Sequence, residues 1–314
     1  MRPSYLDAVH AQPSNLVRSR AVVSSALETL RLPPGLLVAF GMGASAHAAA
    51  GLAAVYEPAI ALSAAEPPPS GAASYLAISH SGRSRETVAG LSVVSGAPRI
   101  VLTNDAAAPI ASFADVVLPL GCAEDSRVST LSYTATIQAL GLLADWLLGT
   151  ASDWAAAADA VALALELDVD AAVEAFAEVQ SVDVIGAGVH AASAGAAGLL
   201  LREAARLPTA TYPTREYLHG ALEPAGPGRG ALIFGGGREA QLAADLAEYG
   251  SSVVLVTPGT GPAHPRLCVI TVPSVPGLGA CLTDIVPVQL LAAGLAAQAD
   301  IEIGLRYMPD DTKL

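Results

Sequence analysis

Tyr75-Leu76-Ala77-Ile78-Ser79-His80-Ser81-Gly82-Arg83-Ser84-Arg85-Glu86-Thr87 runs from an apolar segment through a hydroxyl-rich loop into a helix-forming one. Tyr75–Ile78 reads as a buried strand, and Glu86–Val94 as a helix. Three serines and a glycine thus stand where a strand hands over to a helix. Such a junction offers unpaired backbone N–H groups and the positive end of a helix dipole, which together suit a phosphate. Gly82 removes the Cβ that would keep an anion from the backbone. The competing reading is an ordinary serine N-cap.

Working outward, the same alternation recurs. Strands are predicted near Leu37–Phe40, Ala59–Leu62, Ser74–Ser79, Arg99–Thr103 and Val116–Leu118, with helices over Ser45–Val55, Glu86–Val94 and Thr130–Leu148. Alternating strands and helices specify a parallel sheet covered on both faces, an α/β fold. Thr150–Val179 reads as a helical connector of two Ala-rich helices. The pattern then restarts: Val182–Ile185 leads into Gly186-Ala187-Gly188, as Val38–Phe40 leads into Gly41-Met42-Gly43-Ala44-Ser45. Ala231–Phe234 leads into Gly235-Gly236-Gly237, at the place of the serine loop, and Val253–Thr257 answers Ile100–Asn104. The offset drifts from about 145 to about 153 residues, as in a diverged duplication. The second copy has lost the hydroxyls, so the phosphate is expected only in the first. Two units follow, residues 1–150 and 151–314.

Composition bounds the function. With 314 residues, 53% of them hydrophobic and 14% charged, the chain is globular and buries much surface. A net charge of −13 argues against nucleic acid and anionic membranes as partners. No stretch reads as a membrane span or signal core, and Cys122, Cys268 and Cys281 lack metal-like spacing. A reduced, cytosolic protein is expected. The six histidines show no metal-ligand spacing either; His47 and His190 read as helix-start or packing residues. Lys313 stands alone against 15 arginines, so a Schiff-base mechanism would have to use it or none.

These motifs, with Glu124–Thr134 (EDSRVSTLSYT), Glu203 and Leu218-His219-Gly220, resemble the double sugar-isomerase (SIS) domain family. That family includes the isomerase portion of glucosamine-6-phosphate synthase, glucosamine-6-phosphate deaminases and fructosamine-phosphate deglycases. The resemblance spans roughly residues 15–305 and implies two tandem flavodoxin-like, five-stranded parallel sheets. It implies that Ser45 contacts the sugar, that Ser79, Ser81 and Ser84 with the amide of His80 hold the phosphate, and that Ser129 closes around the ligand. For Ser45 and Ser129 the alternative is a plain N-cap.

Glu203, on an otherwise apolar helix, would move the proton between C1 and C2, and His219 would open the sugar ring. The family places that histidine in the neighbouring subunit's site, which makes a homodimer the catalytic unit. The bland alternatives are a surface Glu203 paired with Arg202 or Arg206, and a solvated loop His219. No cofactor or metal is implied. The resemblance carries an aldose–ketose isomerase or an aminosugar-phosphate deaminase; without a glutaminase segment, glutamine-dependent amide transfer is not expected.

Departures are informative. Lysines usual at the positions of Leu131 and Leu200 are absent. The family's tail lysine has no counterpart in Gly304–Pro309, and Lys313 falls about four residues late, where a flexible tail could still deliver it to the site. Loss of these charges suits a non-catalytic phosphosugar sensor, whereas joint survival of Glu203 and His219 suits an enzyme. A Rossmann dehydrogenase is a third reading, but Ala46 stands where GxGxxG needs its last glycine, and Pro67-Pro68-Pro69 disrupt the ribose-binding strand end.

Overall fold

A computed structural model describes residues 2–307 and 309–314. A short helix, α1 (Tyr5–His10), and a long one, α2 (Gln12–Thr29), precede the first sheet. That sheet comprises β1 (Leu37–Gly41), β2 (Ala59–Ser63), β3 (Ser74–Ile78), β4 (Arg99–Thr103) and β5 (Val116–Pro119). Helices α3 (Ala44–Val55), α4 (Arg85–Ser92) and α5 (Leu131–Leu148) connect or follow these strands, and α6 (Trp154–Ala164) and α7 (Asp170–Phe176) form the connector. The second half holds β6 (Ser181–Gly186), α8 (Val189–Ala204), β7 (Thr209–Pro213), the single turn α9 (Thr214–Glu216), β8 (Arg229–Phe234), α10 (Arg238–Glu248), β9 (Ser252–Thr257), β10 (Leu267–Thr271) and α11 (Gly279–Gln298).

Each sheet is five-stranded and parallel, ordered β2-β1-β3-β4-β5 and β7-β6-β8-β9-β10. Both follow the flavodoxin-like order 2-1-3-4-5, and the duplication read from the glycine loops is present in the topology. In each sheet the chain reverses its direction of travel beside the first strand, and ligands of such sheets bind at the carboxyl ends there. In the first half that switch point lies between β1 and β3. The loops emerging from it are Gly41–Ser45 and Ser79–Ser84.

Central strands are buried on both faces: every residue of β1 and β3 is buried, which demands the continuous apolar runs seen in the sequence. The largest hydrophobic cluster passes from one half to the other through α3, α5, α8 and α11. Among the described residues, α11 is the one helix long and apolar enough to cross a membrane, and 72% of that stretch is buried inside the protein. Cys122 and Cys281 are buried, as expected, and Cys268 is half-buried.

Two strands of the second sheet, β7 and β10, were not legible in the sequence. β7 ends on a proline and alternates Thr and Ala; both lie at sheet edges, where burial is incomplete and the apolar signal weak.

Candidate functional site

Strand β3 ends at Ile78, and Ser79 begins the loop that enters α4. Ser79 is buried, and its hydroxyl donates to Oγ of Ser84 at 3.3 Å. Ser84 occupies the N-cap position, yet its side chain caps nothing, which leaves the first-turn amides of α4 without a side-chain partner. The backbone N–H groups of His80 and Ser81 also find no partner among the described residues. An ordinary capping serine would have filled this role; the arrangement instead leaves several donors free at one helix start. Gly82 has a different reason from the one read in the sequence. Its φ is +63°, and a Cβ would lie 2.4 Å from Cβ of Ala108, so the glycine permits the turn and its packing.

The loop after β1 faces the serine loop. Gly41 is fixed by close approach: a Cβ there would meet the Ile78 carbonyl at 2.7 Å and Cβ of Ser45 at 2.8 Å. Ser45 is the second residue of α3, whose N-cap is Gly43, and Ser129 precedes Thr130, the N-cap of α5. Neither serine therefore holds the capping position. Both line one cavity of about 400 Å³ together with His80, Ser81, Ser84 and Glu203.

Glu203 sits near the end of α8, one turn after Leu200, which is buried in the core. No ion pair or side-chain hydrogen bond to its carboxylate exists among the described residues. Arg206, a suggested partner, has φ of +57° and turns away, donating to the backbone carbonyls of Glu203 (3.3 Å) and Gly304 (2.9 Å). Burial pushes the Glu203 carboxyl up to about 7, against the opposing pull of Lys313. It is thus a carboxylate poised near neutrality, as a proton-transferring base requires.

Lys313 reaches this cavity despite its late position. The tail pairs antiparallel with the serine loop at Ser84, where the Leu314 N–H donates to the Arg83 carbonyl at 2.9 Å. Arg85 Nε adds a bond to the Lys313 carbonyl at 3.3 Å. The expected tail stretch 304–309 includes Met308, which lies outside the described residues.

Asp125, missed in the sequence, organises the loop before α5. Its carboxylate accepts from the amides of Ser126, Thr130, Leu131 and Ser132 and from the hydroxyls of Thr130 (2.6 Å) and Ser132 (2.5 Å). A carboxylate followed by Ser/Thr just ahead of an apolar helix was the available signal. His80 is half-buried, and its Nε2 is buried without a partner among the described residues. Burial lowers its pKa, an effect that Asp125 opposes and Lys313 and Arg2 reinforce.

His219 lies apart from this cavity within one chain. It is exposed in the kinked turn Tyr217–Ala221 beyond β7, where His219 and Gly220 leave helical backbone geometry and Gly220 takes φ of +125°. His47 is half-buried with its ring against Gly195, and His190, at the start of α8, bonds through Nδ1 to Oδ2 of the buried Asp284 at 2.7 Å. Both have packing partners and stand away from the serine loop.

No family model matches the chain, and no curated protein matches it in sequence. Solved structures do match. The C-terminal domain of glucosamine-fructose-6-phosphate aminotransferase from Francisella tularensis superposes with a TM-score of 0.82 at 15% identity, over 97% of this chain and 98% of that one. The chain has the double sugar-isomerase fold. Glucosamine-6-phosphate deaminase from Thermotoga maritima gives a TM-score of 0.80 at 16% identity, over 97% of this chain and 98% of that one. A protein of Silicibacter pomeroyi DSS-3, provisionally named a phosphosugar isomerase, gives 0.79 at 25% identity over 95% and 98%.

Proposed function

We propose that this chain is a cytosolic phosphosugar enzyme, an aldose–ketose isomerase or an aminosugar-phosphate deaminase acting through an enediol or enolamine. The observation that carries this reading is the unpaired carboxylate of Glu203, raised to about 7, in the same cavity as Ser81, Ser84 and the free amides of the serine loop. Those donors and the start of α4 hold the phosphate. Glu203 takes the proton at C2 and returns it at C1, or enolises the substrate before ammonia leaves C2. Lys313 faces Glu203 and favours its ionised form. Ring opening falls to His219, which, being exposed and outside the cavity of its own chain, acts in the site of a second copy; the enzyme is a homodimer with shared sites.

Proton NMR in D₂O tests this, with glucosamine, glucose, fructose and fructosamine 6-phosphates. Loss of the C2 proton signal of the aldose phosphates, or of a C1 proton signal of the ketose phosphates, with the wild-type protein, absent in Glu203→Gln, is the expected result. The apolar Leu131 and Leu200 favour a second reading, a phosphosugar sensor. Saturable line broadening without exchange for any sugar would establish that reading and remove the enzymatic one.

A further inference from the structure

A buried carboxylate in the second sheet takes no part in the Glu203 cavity. Asp183 lies on β6, an inner strand whose residues from Val182 to Gly186 are all buried. Such strands are apolar because both of their faces are covered, and a carboxylate there is costly unless it is paired. One Asp183 oxygen accepts from the Tyr217 hydroxyl at 3.1 Å, and the other lies 3.8 Å from the Arg229 guanidinium at the start of β8. Burial pushes the Asp183 carboxyl up, and first Tyr217 and then Arg229 oppose that shift.

Tyr217 stands two residues before His219, just after the single turn α9. It is the largest fully buried side chain among the described residues, whereas Arg215, Glu216, His219 and Gly220 around it are exposed. Its ring belongs to the apolar cluster that includes Ile185, Ile233 and Leu242, and it lies 5.4 Å from the Tyr212 ring, centroid to centroid. Packing keeps the ring in its slot; the hydroxyl bond to a strand fixes how deeply it sits. The turn closes behind it, because the Leu222 amide donates to the Tyr217 carbonyl at 3.1 Å and the Glu223 amide to the Gly220 carbonyl at 3.2 Å. His219, with φ of −96° and ψ of 31°, is thus carried at the tip of a turn pinned at its base.

A histidine that acts in another copy's site is not oriented by the walls of that site until the two copies meet, so its own chain must aim it. Misplacing a reacting group by about 1 Å can cost about a hundredfold in rate.

Resting on the phosphosugar reading and its assignment of ring opening to His219, we infer that Tyr217 is a positioning residue. Its hydroxyl, bonded to Asp183, holds the turn that presents His219 to the sugar ring, and it takes no part in enolisation at Glu203.

The test compares wild type with Tyr217→Phe on fructose 6-phosphate and 5-deoxyfructose 6-phosphate. The second lacks the 5-hydroxyl and carries phosphate on its 6-oxygen, so it stays an open chain and needs no ring opening. Exchange of the C1 protons in D₂O, followed by NMR, reads enolisation of both. Wild type is expected to exchange both. Tyr217→Phe is expected to slow exchange of saturating fructose 6-phosphate by about tenfold or more, with KM within about twofold, and to leave the 5-deoxy probe within about twofold of wild type. Asp183→Asn keeps an acceptor for the Tyr217 hydroxyl and is expected to stay within about twofold of wild type on both probes. Thermal unfolding checks that each variant is folded. Equal slowing of both probes by Tyr217→Phe, or slowing of neither, overturns the inference and leaves the phosphosugar reading standing. A wild type that exchanges neither probe removes both.

Discussion

Replacing Glu203 by Gln tests the electrostatics of the site without any knowledge of the substrate. Burial moves the carboxyl from 4.5 to about 7. Below pH 4.5 the group is protonated in the folded and the unfolded chain, and it contributes no difference. Between 4.5 and 7 the unfolded chain releases the proton while the folded chain retains it, so stability falls as pH rises. Above 7 both states are ionised and the folded one carries the full penalty. At about 1.36 kcal/mol per unit of pKa, and with some allowance for solvent screening, that penalty is roughly 2–3 kcal/mol. Glutamine does not titrate and escapes it.

The expected outcome is a pH-dependent gain. Urea unfolding of both proteins at a series of pH values should give a stability difference that favours Glu203→Gln increasingly from pH 4.5 to 8, by roughly 2–3 kcal/mol in total. Other titrating groups are common to both proteins and cancel in the difference. A difference that stays flat across this range would refute the argument, because it would make Glu203 an ordinary solvated carboxylate. Turnover follows the same ionisation: the acid limb of the wild-type profile is expected near pH 7, since only ionised Glu203 can accept a proton.

Three further outcomes are expected. Ser81→Ala should weaken phosphosugar binding by at least about 1 kcal/mol in calorimetry, the low end for a hydrogen bond to a charged group; unchanged affinity would disprove the cradle. Asp125→Ala should destabilise the fold by roughly 2–3 kcal/mol in urea, because it strips the start of α5 of its cap and leaves buried amides and hydroxyls unpaired. Mixing inactive Glu203→Gln and His219→Ala chains should restore about a quarter of wild-type activity if the sites are shared, because half of the dimers are mixed and one of their two sites is intact. No recovery in exchanged dimers would place His219 in the service of its own chain, or of none.

Much of the fold was legible because burial leaves a pattern. β1 and β3 lie at the centre of a parallel sheet, so both faces require apolar residues, and the runs Leu37–Phe40 and Tyr75–Ile78 say so directly. The glycine loops were legible for a similar reason: Gly41 has no room for a side chain beside Ile78 and Ser45. β7 and β10 were not, because an edge strand is covered on fewer sides and its composition is freer. Function-bearing contacts made across long separations in sequence leave no periodicity at all. Nothing in Asp310–Leu314 announces that the tail lies along Ser84.

The two missing lysines gain a physical meaning once these long-range contacts are known. Leu131 and Leu200 are buried in the core, and Leu200, one turn before Glu203, lines a small cavity with it, so an apolar side chain stands beside the carboxylate there. An apolar neighbour raises the carboxyl's pKa, and a lysine at position 200 would have held it down. The site retains two cations, but each arrives from elsewhere: Lys313 on the tail and Arg127 on the loop held by Asp125. Lys313 tempers the ionisation of Glu203 without abolishing the effect of burial, so the base remains near neutrality. Arg127, an exposed side chain, lines the same cavity. The poise of the base is therefore set by burial against Lys313, and not by a lysine on α5 or α8.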